Sequence, residues 1–327
     1  MNLKELFKPK DLTEGTPWKR IVAFAIPMLI GNIAQQLYNT ADSIIVGKYV
    51  GDNALAAVGS ASPILNLLLV LFVGISVGAS IMVAQYFGAK DREKLSHTIG
   101  ICLSLTAIAS IAIMIIGPIV TRPLLSLLNT PESIIDWCAD YLTIYFIGIA
   151  GFAYFNILSG VLRGLGDSIS ALIFLLISTA LNVVLDIIFV AKFNMGVPGV
   201  AYATIIAQGF SAVLSIIKLM KTKSSFDLNL KMLKLNKEYS YRLIKLGLPS
   251  GLTQAIFSLA MIIVQSLTNS FGEMVIAANV MIMRVDGFAM MPNFSFGSAM
   301  TTYAGQNIGA KKMDRVDRGT KEGTMIA

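Results

Sequence analysis

Eight apolar stretches, each about as long as a bilayer is thick or longer, run through this chain. They lie near residues 18–46, 54–88, 96–121, 132–161, 168–192, 199–221, 241–270 and 276–308, with short polar breaks between them. A helix rises ~1.5 Å per residue, so about 20 apolar residues cross a hydrocarbon core of ~30 Å. In lipid the backbone must satisfy its own hydrogen bonds, which leaves helices or closed barrels. No alternation of apolar and polar positions marks barrel strands. The expected fold is therefore an all-α polytopic membrane protein. Composition agrees: 14% of residues are charged and 55% hydrophobic, against roughly 25% charged in soluble domains. Disorder and an ordinary soluble enzyme are excluded, and the polar first 17 residues carry no cleavable signal pattern.

Basic residues set the orientation. Of the 26 Lys and Arg, 22 fall in the N-terminal tail and the even-numbered breaks, and only Lys48, Arg122 and Lys192 in the others. Arg284 lies inside the eighth stretch, and Arg163 counts with the cytoplasmic bases after the fourth. Such a split places the N-terminus and the 222–240 linker in the cytoplasm of a plasma-membrane protein. The net charge of +7 is then topological charge, and no nucleic-acid partner is expected. Cys102, Cys138 and the single histidine, His97, form no disulfide framework or metal-ligand spacing.

An internal repeat divides the chain. Gln85-Tyr86-Phe87-Gly88-Ala89-Lys90 answers Gln306-Asn307-Ile308-Gly309-Ala310-Lys311 at an offset of 221. Ile26-Pro27 answers Leu248-Pro249 at 222, and Ala56-Ala57 answers Ala277-Ala278 at 221. Helices 7 and 8 thus repeat helices 1 and 2 after a six-helix unit, in the same orientation. The expected organisation is a six-helix N-lobe (1–221), the linker (222–240) and the first two helices of a parallel-repeat C-lobe with the start of a ninth helix (241–327). A full second copy makes twelve helices, so the chain reads as a transporter truncated after the eighth.

Ionisable and polar groups inside such helices are functional candidates. Asp42 and Asp186 can each bind a proton or, when ionised, a cation such as Na⁺. The alternative puts each near the outer interface. Asn32, Gln35, Gln36, Asn39 and Asp42 form a polar stripe on helix 1 at helical spacing, which belongs against protein or a water-filled cavity. Asn182 is four residues before Asp186 and shares its face. Asn156 and Thr204 are uncharged oxygen donors that also serve as interhelical glue. Gln254 and Ser258 continue the stripe on helix 7, where Val264 stands opposite Asp42 in the repeat. Arg284, Asp286, Met290 and Met291 on helix 8 complete a candidate substrate cavity, although such methionines more often serve packing. Gly74 and Gly78 form a face for close helix packing, and Pro27, Pro63, Pro249 and Pro292 mark kinks. No nucleotide-binding, nucleophile-elbow or zinc-protease motif is present.

Taken together, Ile26-Pro27, Ala41-Asp42-Ser43, the paired Gln85–Lys90 and Gln306–Lys311 segments, Leu162-Arg163-Gly164-Leu165-Gly166-Asp167 and Asn182 with Asp186 resemble the multidrug and toxic compound extrusion family. The resemblance implies a two-lobed, twelve-helix antiporter that exports organic compounds against inward H⁺ or Na⁺. It implies coupling at Asp42, Asp186 and Asn182, with Asn156 and Thr204 as further ligands. No cofactor, no metal beyond Na⁺ at Asp42/Asp186 and no catalytic residue are expected. The expected partners are the bilayer and small amphipathic organic cations, and the expected state is a monomer. The alternative is a lipid-linked oligosaccharide flippase of the same superfamily, which needs a cationic cavity to hold pyrophosphate. A membrane-embedded enzyme would need a nucleophile–base or metal set that is not seen.

Overall fold

The structure is a computed structural model that describes residues 9–128, 130–222, 226–227, 229–269 and 273–327. Within these, the side chains of 52, 63, 67–69, 71, 230–231, 262, 265–266, 269, 273–278, 280–281 and 284 lie outside the description, so the Arg284 side chain is not placed.

All regular structure among the described residues is helical. In order these are α1 (Pro17–Tyr49), α2 (Asp52–Gly88), α3 (Arg92–Leu127), α4 (Glu132–Ile147), α5 (Ile149–Gly164), α6 (Ser168–Asp186), α7 (Gly196–Lys221), α8 (Lys237–Asn269), α9 (Glu273–Gly309) and α10 (Met313–Ile326). Among the described residues, five helices are long and apolar enough to cross a membrane, and the bent pair α4–α5 makes a sixth span. That span breaks by 55° at Gly148, where a Cβ would meet the Ile205 side chain of α7 at 2.5 Å. The break falls at a glycine, while Pro27, Pro249 and Pro292 all sit inside continuous helices.

The repeat is visible in the backbone. Lys90 and Lys311 hold the same left-handed conformation, φ 55° and 59°. Each closes its helix with equivalent hydrogen bonds, Lys90 N–H to Phe87 O at 3.1 Å and Lys311 N–H to Ile308 O at 3.0 Å. The Gln-x-x-Gly-Ala-Lys motif is therefore a helix C-cap used twice. Downstream, α10 answers the first turns of α3, since Met313 stands 221 residues after Arg92.

Helix α2 packs on α8, and α9 on α1 and α2. Gly78 of α2 lies so close to α8 that a Cβ would come within 2.5 Å of Leu243 O and 2.9 Å of Gly247 N. The small-residue face thus brings the two backbones into contact, as its spacing implies. The described part of the 222–240 connection is docked rather than loose. Phe226 is buried, Asp227 pairs with Arg92 at 2.7 Å, and Ser104 of α3 donates to Leu233 O at 2.6 Å.

At one end of the molecule the segment before α1 straps the halves together. Leu12 is buried against Tyr303 and Ala299 of α9. Its N–H donates to Gln306 Oε1 at 2.8 Å, and Gln306 Nε2 donates to Gly164 O at 3.1 Å. Lys312 Nζ donates to Thr13 O at 3.0 Å, and Arg315 to Gly15 O at 2.8 Å.

Candidate functional site

The turn between α5 and α6 sets the geometry of the first lobe. Gly164 sits against Ser80 O of α2, leaving 2.6 Å for a Cβ. Gly166 takes φ +80°, which an L side chain rarely tolerates. Asp167 caps α6 by accepting from Ser170 N–H at 2.9 Å and Ser170 Oγ at 2.7 Å, and it pairs with Lys218 at 3.2 Å. Helix α6 then runs back through the lobe and delivers Asn182 and Asp186 to its interior, 2% and 0% exposed. Directly after Asp186 the helix widens into a π-helical turn, Ile187–Lys192, a local distortion frequent at functional sites.

Asp186 meets Asp42 of α1, and the two carboxyl groups stand within hydrogen-bonding range of each other. Ionised carboxylates only accept hydrogen bonds. Two of them can face each other in an apolar interior only with a proton or a cation between them. Asp42 Oδ1 and Asp186 Oδ1 are both buried without a hydrogen-bond partner. With its amide nitrogen turned to Asp186, Asn182 donates to Oδ2 at 2.8 Å, and its oxygen accepts from Thr204 N–H at 3.2 Å. Thr204 Oγ1 lies 3.5 Å from the Tyr38 hydroxyl and donates to Val200 O at 3.0 Å.

Four sequence candidates, Asp42, Asn182, Asp186 and Thr204, therefore converge. Three tyrosines that sequence reasoning passed over join them. Tyr38, Tyr141 and Tyr145 all lie close enough to feel the Asp42 charge. Tyr38 is four residues before Asp42 on the same helix, so its face was readable; Tyr141 and Tyr145 come from α4, which only packing brings in.

Asn156 is placed elsewhere. Its amide donates to Phe152 O at 2.9 Å, and it lines a cavity of about 200 Å³ between α1, α5 and α6. Asn32, Gln35, Ser159 and Arg163 line the same cavity. Gln35 also lines a smaller pocket beside Tyr38, Asn182 and Thr204, so it joins the two spaces. Arg163, counted from the sequence among the cytoplasmic loop bases, is the penultimate residue of α5 and turns into this cavity.

The remaining candidates are spread over other surfaces. Asn32 bridges the lobes through Ser295 Oγ of α9 at 2.9 Å. Gln36, Asn39 and Gln254 are exposed, as are Asp286 and Met290, while Ser258 and Met291 are half-buried. Among the described residues no three His, Cys, Asp or Glu side chains cluster as a metal site.

A family model described as MatE matches residues 27–188 and 249–327. The probable multidrug resistance protein YoeA of Bacillus subtilis is 32% identical over 316 residues, covering 94% of this chain and 68% of that protein. The multidrug export protein MepA of Staphylococcus aureus is 26% identical over 265 residues, 80% of this chain and 58% of that protein. Among solved structures, a multidrug resistance MATE family transporter in its outward-facing conformation superposes with a TM-score of 0.90 at 28% identity. The match covers 97% of this chain and 70% of that one.

Proposed function

The chain belongs to the MatE family of multi-pass membrane transporters, and on that footing we propose that it exports amphipathic organic cations in exchange for inward H⁺ or Na⁺ bound at Asp42 and Asp186. The observation that carries this reading is the carboxyl pair, Asp186 buried and Asp42 half-buried, mutually facing and with one buried, orphaned oxygen on each side chain. One proton or one Na⁺ settles that arrangement. Its departure leaves like charges in contact and favours a different packing of α1 against α6 and α7. Differential affinity of the ion for two packings is what coupling requires. Asn182 and Thr204 position Asp186 and offer further oxygen ligands, and no bound cofactor is needed.

In this reading the strap, α2–α8 and α9–α1 contacts close the cytoplasmic side, where the positive-inside rule places the N-terminus. A flippase for a pyrophosphate-linked sugar would need several bases around its cavity. Arg163 alone among the described residues supplies one to the N-lobe cavity, which favours the exporter.

Dye efflux from cells expressing the gene that carries this sequence tests the assignment. Asp186→Asn and Asp42→Asn are each expected to abolish gradient-driven efflux while the amount of protein in the membrane holds. Full efflux by either variant at normal protein level sinks the proposal. Proteoliposomes under separate pH and Na⁺ gradients identify the ion.

A further inference from the structure

Among the described residues Arg163 is the one base lining the N-lobe cavity, and its charge has no acidic partner there. Its guanidinium donates to Ser76 Oγ at 3.3 Å, a neutral acceptor already committed to Asn156 O at 2.7 Å. One of five N–H donors is thus used, on an uncharged group. The nearest acid in sequence, Asp167, spends its oxygens on Ser170 and Lys218. In the same cavity Ser159 is 6% exposed and its hydroxyl has no hydrogen-bond partner. Among the described residues no Asp or Glu lines the space.

A half-buried guanidinium without a counter-charge is costly and presents its fork to whatever enters. We propose that Arg163, with the Ser159 hydroxyl beside it, forms a carboxylate-binding subsite in this cavity, which holds the acidic group of a ligand that carries one. A carboxylate matches the guanidinium fork in two parallel hydrogen bonds. A single base facing neutral hydroxyls and amides suits one negative charge and not a phosphate dianion. At about 200 Å³ the cavity is smaller than a drug-sized pocket of roughly 300–1,000 Å³. It therefore takes the acidic end of a ligand, with Met28, Phe155, Leu172 and Leu175 against the apolar part beside it. The remainder extends past Gln35 toward the pocket beside Asn182. Transport of a ligand held there rests on the exporter reading; the subsite itself does not.

The test is equilibrium binding to the purified chain by fluorescence polarisation, with rhodamine B and its ethyl ester as probes. The two share a ring system and differ in the carboxylate. Wild type is expected to bind the acid roughly tenfold or more tighter than the ester. Arg163→Gln should weaken the acid roughly ten- to hundredfold, leave the ester within about twofold and so erase the preference. Arg163→Lys should restore part of it, and Ser159→Ala should lower acid affinity a few-fold. Equal binding of acid and ester by wild type overturns the subsite, as does an equal loss for both probes in Arg163→Gln. If Arg163→Gln fails to fold, the wild-type ratio and Ser159→Ala decide. An acid preference in a protein that shows no efflux in cells would overturn the exporter reading and leave the subsite standing, and the reverse pattern would overturn only the subsite.

Discussion

Gly88 of α2 lies directly against the backbone of Gln306 of α9, with no space for a side chain between them. The contact is reciprocal, because Gly309 lies in the same way against the backbone of Gln85. Each glycine thus presses on the first residue of the other copy's motif, 221 residues away. The duplicated segments cross each other about a pseudo-two-fold axis, the intrachain form of an isologous contact.

Gly88→Val and Gly309→Val should each destabilise the protein. Neither helix can yield locally, since the opposing atoms are backbone, so the cost is expected at about 1–3 kcal/mol or above for overpacking. Thermal unfolding in detergent measures it. The double variant should cost less than the sum of the singles, because the first substitution already separates the pair.

Gln306→Ala should release the strap. It leaves the buried Leu12 N–H and Gly164 O without the partners described above, at about 1–3 kcal/mol for groups so stranded. Limited proteolysis should then cut within residues 9–16 faster than in wild type, with α2 and α3 still protected. Unchanged cutting would show that Lys312 and Arg315 suffice to hold the segment.

Asn182→Leu should keep the packing of α6 and lose the donor to Asp186. With about 1.5–3 kcal/mol typical of a hydrogen bond to a charged group, coupled efflux per unit of protein should fall roughly ten- to hundredfold. Efflux equal to wild type would remove Asn182 from the coupling set.

The connection between the lobes should loosen in acid. A two-pronged hydrogen bond from Arg92, 2.7 and 2.8 Å, holds the Asp227 carboxyl below the usual carboxylate range. A lowered carboxylate adds stability above its unfolded value, about 3.9, and loses it as pH falls through the folded one. Amide protection in the Leu230–Leu233 turn, exchange taken relative to the unstructured rate at each pH, should be flat from neutral pH to about 4 and fall below. Asp227→Asn should show the faster exchange already at neutral pH, and high salt should weaken the pair because both side chains are exposed.

Much of the fold is legible along the chain. Observed helices begin and end within a few residues of the apolar stretches, because span length and hydrophobicity are local quantities. The repeat was readable for the same reason: Gln85 and Gln306, Lys90 and Lys311 do the same capping work and so keep the same residues. The carboxyl candidates were readable because an acid inside an apolar run stands out. Arg163 did not stand out. It follows α5's apolar run at the position a cytoplasmic base would take, and only the rotation of α5 about its axis turns it inward. Asn156 was grouped with the acids by chemistry, yet beyond the bend at Gly148 its side chain lines the second cavity. The same break separates Tyr141 and Tyr145, which reach Asp42, from Asn156, which does not.

The sequence by itself determined the solvent, the helices and the duplication, since each follows from quantities that sum along the chain: apolar length and residue identity at a fixed offset. The tertiary structure decided which faces meet. Helix rotation is set by packing against neighbours distant in sequence, as where Gly78 lets α2 touch α8 or Gly164 lets α5 touch α2. Packing of α1 on α6 brings Asp42 to Asp186, and the facing sides of α1, α5 and α6 leave Arg163 as the one base in their cavity among the described residues.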